Sequence, residues 1–300
     1  MSTAGFAKWL GAGLGAGVAC MLGGCGQKQE SGPAPTTIQV KGSDTMVNVA
    51  QAWAEEYKTA APQVDVEVSG GGSGVGIAAL ERGAIDIANS SRNMKSEEVE
   101  QAKRNTGKEP KEFIVAYDAL AVYVHKDNPI GEITLEQLAQ VFVEGGTITK
   151  WSQLGVTLSG GDDEIVRVSR QSSSGTYEFF REHVLANKDF KLGSRDMNGS
   201  KEVVELVANT KTAIGYSGMG YVTPGVRMLK LSARAGDPAV EPSVATTLDK
   251  TYPLARSLLL YTLGEPEGAV KGYIDWILSP AGQRIVEESG YVPVAAPHGS

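Results

Sequence analysis

Thiols are scarce in this chain: of 300 residues only Cys20 and Cys25 are cysteines, and both lie near the N-terminus. The rest of the sequence can therefore hold neither a disulfide nor a thiolate metal site. Histidine is almost as rare, with His125, His183 and His298 alone. None has metal-ligand spacing and none stands beside a serine motif, so no metal is expected and a hydrolase is the weaker reading. Excess positive charge is missing too: 28 Lys and Arg face 35 Asp and Glu, a net charge of −7. That balance excludes the broad basic surface a nucleic-acid partner needs. It does not exclude a small anion, because screening limits charge effects to about 8–10 Å and leaves the matter to a pocket's own donors. No segment reaches the roughly 20 strongly apolar residues of a membrane span. What remains is a chain about two domains long with ordinary globular composition.

The N-terminus is the exception. Lys8 precedes an apolar Gly/Ala-rich stretch from Trp9 to Leu22, which ends in Leu22-Gly-Gly-Cys25. Small residues before a cysteine, after a short apolar run, resemble a bacterial lipobox. Residues 1–24 then read as a lipoprotein signal peptide and Cys25 as the lipidated first residue, anchored at the cell envelope on its extracytoplasmic side. Cys20 is the poorer candidate, with Gly17 where a lipobox prefers Leu. Residues 25–37, polar and Pro/Gly-rich, read as a flexible tether. The closing Pro297-His-Gly-Ser300 reads as frayed.

Beyond the tether, strand-like and helix-like patterns alternate. Ile38-Gln-Val-Lys breaks at Gly42-Ser-Asp-Thr45, after which Met46, Val49, Ala50, Trp53 and Tyr57 recur at helical spacing until Pro62. Val64–Val68 alternates as a strand, a glycine cluster and a helix through Leu80 follow, and Ile85–Ala88 reads as the next strand. This rhythm predicts an α/β fold with mixed, mainly parallel sheets and helices on both faces. Two long apolar runs, Phe113–Val124 and Ala255–Tyr261, suit segments that cross between lobes. The expected layout is lobe I from residues 38–116 and 256–297, lobe II from 117–255, and two hinge crossings that let the lobes close on a ligand.

Four segments carry anion-binding chemistry. Arg170-Gln-Ser-Ser-Ser-Gly-Thr176 sets a forked cation, a row of hydroxyls and a glycine at a strand-to-helix junction. There, unpaired backbone N–H groups and the helix dipole favour negative charge. Gly42-Ser-Asp-Thr45 has a similar place, although Ser, Asp and Thr also serve as plain helix caps. Ser69-Gly-Gly-Gly-Ser73-Gly-Val-Gly76 can aim backbone donors at an anion. It is no P-loop, since no Gly-Lys-Ser/Thr follows, and no esterase elbow; its loose GxGxxA lacks the acidic residue of a dinucleotide site, so no cofactor is expected. Asn89-Ser-Ser-Arg92 follows a strand, where hydroxyls and Arg suit anion contact or a surface turn.

Taken together, these segments resemble the periplasmic phosphate-binding proteins of the PstS type, the solute receptors of ABC phosphate importers. The likeness spans the whole mature chain and is most specific in the Arg-x-x-x-Ser-Gly-Thr spacing of Arg170 to Thr176. The resemblance implies a two-lobed type II periplasmic-binding-protein fold, a non-enzymatic role, inorganic phosphate as ligand and membrane permease subunits as partners, with a monomer as the default state. It places Thr45 and Met46 in the first contact loop, the latter through its backbone, and Ser73 in the second. Arg170, Ser174, Gly175 and Thr176 form the opposite half. Ser91 stands where many members carry an aspartate that accepts the phosphate proton, and Arg92 adds a charge beside it. Asp44 is the expected substitute acceptor. That departure keeps sulfate, molybdate or another oxyanion open as ligand, and a phosphate sensor without transport open as role.

Overall fold

The computed structural model describes residues 36–294. The signal peptide, Cys25, most of the tether and His298 lie outside them. In chain order the strands and helices are β1 (Thr36–Gly42), α1 (Val47–Ala60), β2 (Val64–Ser69), α2 (Ser73–Leu80), β3 (Ile87–Ser90) and α3 (Ser96–Thr106). There follow β4 (Pro110–His125), β5 (Glu132–Thr134), α4 (Leu135–Phe142), β6 (Val166–Arg170), α5 (Gly175–His183), β7 (Arg195–Met197) and α6 (Ser200–Ala208). The chain continues through β8 (Ala213–Gly218), β9 (Val226–Met228), β10 (Lys230–Ser232), α7 (Val244–Leu248), β11 (Ala255–Leu263), α8 (Gly268–Ile277), α9 (Pro280–Glu288) and β12 (Val292–Pro293). β1 begins at Thr36, paired with Val64, two residues inside the stretch read as tether.

The main sheet runs β2-β1-β3-β11-β4-β8-β6-β7. Its flanks are parallel, as the βαβ rhythm requires. Its centre is antiparallel, because β4 carries the chain out of the first half and β11 carries it back. β4 shows how one strand serves two halves. Its N-terminal part pairs with β11 and β12, and Leu120–Val124 pair with β8. This is the type II two-lobed architecture, and the two long apolar runs are its crossings.

Each half has its own buried anchor. Trp53 on α1 and Trp151 are almost wholly inaccessible. Their indole N–H groups donate to Gly282 O at 2.8 Å and Thr212 O at 3.0 Å. An indole can be buried at little polar cost only when its donor is satisfied in this way. α1 buries Val49, Ala50, Trp53 and Tyr57, the face its spacing marks out, and ends at Ala60, capped by Ala61 before Pro62. β3 starts two residues later than the apolar pattern suggests. Asp86 is held beneath it by backbone and side-chain bonds with Gln39, so pairing with β1 begins only at Ile87. The consequence is functional: Asn89 and Ser90 belong to the strand, and Ser91 is the first residue past its end.

Candidate functional site

Three helices begin at one point. α1 starts after Thr45 and Met46, α2 starts at Ser73, and α5 starts at Gly175 and Thr176. Thr45 Oγ1 and Thr176 Oγ1 lie 2.8 Å apart across the two halves. A Cβ added to Gly175 would fall 2.2 Å from Ser73 Oγ and 2.6 Å from Ser91 Oγ. Only glycine permits that approach, and it brings the second half's helix start against the first half's serines. Backbone contacts reinforce it: Gly74 N–H donates to Ser173 O at 3.0 Å, and Ser173 Oγ donates to Gly71 O at 3.1 Å. Three helix N-termini meeting at hydroxyls make a strongly donor-rich spot.

Arg170 supplies the charge. It ends β6, is wholly buried, and donates through Nη1 to Ser200 Oγ and through Nη2 to Asn198 O, each at 3.0 Å. Nη2 also meets Asp44 Oδ2 at 3.1 Å, an ion pair that joins the two halves. Its Nε–H is buried without a protein partner. Burial pulls the guanidinium below the ordinary arginine value, opposed by the Asp44 charge. Asp44 takes the Gly71 N–H at 2.8 Å through Oδ1. Burial pushes its carboxyl above the usual carboxylate value, and the Gly71 bond and Arg170 hold it back. An arginine is far too basic to discharge, so Arg170 stays charged in its buried place with one N–H unpaired.

Seven of the ten residues expected at the site are thus brought together: Asp44, Thr45, Ser73, Ser91, Arg170, Gly175 and Thr176. Ser91 donates its amide to Ser73 Oγ at 3.1 Å and holds its own hydroxyl 3.4 Å from the same oxygen. Ser174 lies just behind, its hydroxyl accepting the Thr176 and Tyr177 amides as the N-cap of α5. Met46 buries its side chain in the core, and its amide donates to Ser43 O at 3.1 Å. Arg92 turns away from the cradle, its two Nη atoms bonding Glu98 at 2.7 and 2.6 Å.

Residues that the sequence reading missed complete the surroundings. Asp118 on β4 and Arg256 on β11 face each other in register as a buried ion pair 2.8 Å long. Arg256 Nη1 donates to Thr176 Oγ1 at 3.1 Å and Nη2 to Thr45 Oγ1 at 3.4 Å. Tyr221 and Tyr291 donate to Thr45 O at 3.1 and 2.6 Å. A signal for the ion pair did exist: Asp118 is the single charge in Phe113–Val124, and Arg256 the single charge in Ala255–Tyr261. A cleft of about 770 Å³ adjoins the cradle, sharing Ser91 and Arg256 and walled by Tyr117, Phe179 and Tyr252. Among the described residues no cluster of His, Cys, Asp and Glu could hold a metal, and no helix is long and apolar enough to cross a membrane.

Residues 27–281 match the PBP superfamily domain, so the chain belongs to the periplasmic-binding-protein superfamily that its fold and interlobe cradle describe. Within it, this chain belongs to the PstS-type phosphate-binding proteins. It is 33% identical over 296 residues to the phosphate-binding protein PstS of Pseudomonas aeruginosa, covering 95% of this chain and 92% of that one. It is 30% identical over 270 residues to PstS of Bacillus subtilis, covering 90% and 83%. Among solved structures, a Clostridium perfringens chain with bound phosphate superposes with a TM-score of 0.76 at 33% identity, covering 87% of this chain and all of that one. An ABC-type phosphate transport receptor from Vibrio cholerae gives 0.68 at 28% identity, covering 85% and 99%.

Proposed function

We propose that this protein captures inorganic phosphate between its two lobes, outside the cytoplasm, and delivers it to an ABC importer. The observation that carries this reading is the meeting of three helix starts at Thr45, Ser73, Ser91 and Thr176, with the buried, incompletely bonded Arg170 tied to the neighbouring Asp44. The relatives named as phosphate-binding proteins, and the phosphate-bound neighbour, support it. Asp44, Thr45, the Met46 backbone, Ser73, Ser91, Arg170, Ser174, Gly175 and Thr176 are the proposed ligand set. Arg92 acts at one remove, by fixing the Ser91 turn through Glu98.

Capture is reversible binding without chemistry. An anion entering the cradle loses water and gains fixed donors, which is favourable only when nearly every oxygen is paired. Asp44 is the acceptor for the phosphate proton. Sulfate carries none at neutral pH, so its oxygens would face the carboxylate without a bridging hydrogen. Lobe I comprises residues 38–116 and 256–297 and lobe II residues 117–255, and β4 and β11 are the hinge. Lipidation at Cys25 holds a monomeric receptor at the envelope, and the following tether sets its reach. Equilibrium dialysis against radiolabelled phosphate tests the reading. Saturable uptake of one phosphate per chain, not displaced by equimolar sulfate or molybdate, is expected. Equal displacement by sulfate would transfer the assignment to another oxyanion.

A further inference from the structure

We infer that Ser173, outside the proposed ligand set, is a clasp across the mouth of the cleft that sets how long a captured phosphate stays bound. This rests on the reading of the cradle as a phosphate site between lobes that part and close.

Ser173 belongs to the second half, in the turn between β6 and α5, and it reaches across to the first. Its hydroxyl donates to Gly71 O at 3.1 Å, and its carbonyl accepts the Gly74 N–H at 3.0 Å. Gly72 lies between these two contacts with φ at +97°, and a Cβ there would fall 2.5 Å from Ser173 O. Only glycine lets the two backbones come this close. Ser173 is half-buried and the flanking Ser172 and Val75 are exposed, whereas Ser73, Ser174 and Gly175 are buried. The seam therefore stands between the cradle and solvent.

Each side of the seam is fixed within its own half. In the first, the Gly71 N–H is taken by Asp44 Oδ1 at 2.8 Å and the Gly72 N–H by Gly42 O at 2.9 Å. In the second, the Ser174 N–H donates to Gln171 O at 3.0 Å and the Gln171 N–H to Met197 O at 3.1 Å. The clasp bonds are thus additional to the fold of either half, and they form only where the halves meet.

Closing without a ligand buries the Arg170 Nε–H with no protein acceptor, a cost that opposes the two clasp bonds. A bound anion offsets that cost, and the clasp then adds its bonds to those the ligand makes. Phosphate enters the open cleft before the clasp forms, so its association rate is independent of Ser173. Release requires the seam to open first, and each bond removed from it speeds that step.

The test is a chase on the whole protein loaded with radiolabelled inorganic phosphate, with association measured separately by rapid mixing and filtration. Ser173→Ala should release phosphate about fivefold faster, the worth of one neutral hydrogen bond, at an unchanged association rate. Ser172→Ala removes an exposed hydroxyl one residue away and should behave as wild type. Gly74→Val is the steric counterpart. A Cβ at Gly74 would lie 3.3 Å from Ser173 O, with Ser173 and Arg92 as its nearest neighbours. Valine therefore crowds the closed seam, while in α2 it is a better helix former than glycine. It too should speed release, with the melting temperature of the phosphate-free protein retained. Three results overturn the inference: release from Ser173→Ala as slow as from wild type, an affinity loss carried by slower association, or Ser172→Ala releasing as fast as Ser173→Ala. The Ser173→Ala rates decide even where Gly74→Val fails to fold. Absence of any phosphate binding by the wild type would instead overturn the phosphate reading beneath it.

Discussion

Arg170 commits Nη1 and Nη2 to Ser200, Asn198 and Asp44 and keeps a buried Nε–H unpaired. Removing the cation leaves Asp44 without its partner and the anion without its charged donor. Arg170→Gln should therefore weaken phosphate binding by about 3 kcal/mol, more than a hundredfold, in a calorimetric titration. In the proposed function Asp44 bears on selectivity rather than on capture. As the amide of Asp44→Asn it can turn a donor toward the ligand, and phosphate-over-sulfate preference should fall by about tenfold or more in competition dialysis. An unchanged preference would remove Asp44 from the acceptor role. Protonation should mimic that variant. Burial raises the Asp44 pKa above its unfolded value, so the folded state holds more protons between the two values. The group's contribution to stability is thus full below the unfolded value and is lost as pH rises through the folded one. Over the same window, falling pH should let sulfate compete better with wild type and leave Asp44→Asn unaffected.

The junctions between strands and helices hold these side chains in place. Gly175 opens α5 against Ser73 and Ser91, both fully buried, so an added methyl has nowhere to go. Gly175→Ala should keep its melting temperature, because the clash arises only between lobes, yet lose phosphate affinity by about tenfold or more. At the start of α3, burial pushes the Glu98 carboxyl up, but the Arg92 bonds and the Lys95 N–H outweigh it and leave the pKa lowered. Its stabilising effect is present above the unfolded carboxylate value and is lost as pH falls through the folded one. Glu98→Gln should cost about 2 kcal/mol in denaturant unfolding at neutral pH, and progressively less in acid. Local pattern made many of these elements legible: α1 buries Val49, Ala50, Trp53 and Tyr57, the face their spacing marks, and stops before Pro62. The cradle was legible because hydroxyls, glycines and Arg170 cluster at strand ends. What escaped depended on tertiary register. Asp118 and Arg256 meet only because β4 and β11 pair, 138 residues apart in sequence. Arg92 looked free until Glu98, six residues onward in the first turn of α3, took both of its Nη groups. The delayed start of β3 likewise follows from Asp86 bonding to Gln39 on another strand.

The molecule as a whole is a clamp whose two halves share β4 and β11. Polar contacts bridge the halves, including Asp44–Arg170, Thr45–Thr176 and Lys95–Glu178. Under the proposed function closure is ligand-dependent, since an anion between the halves adds donor–acceptor bonds to both sides at once. Small-angle scattering should show the protein becoming more compact on adding phosphate, and Gly175→Ala should not follow. The most direct test of phosphate capture by both lobes is calorimetric titration at neutral pH of wild type, Arg170→Gln in one lobe and Ser73→Ala in the other. One phosphate per chain in the wild type, with affinity reduced by each substitution and little heat from sulfate, is the expected result. Binding unaltered by either substitution, or sulfate bound as tightly as phosphate, would contradict it.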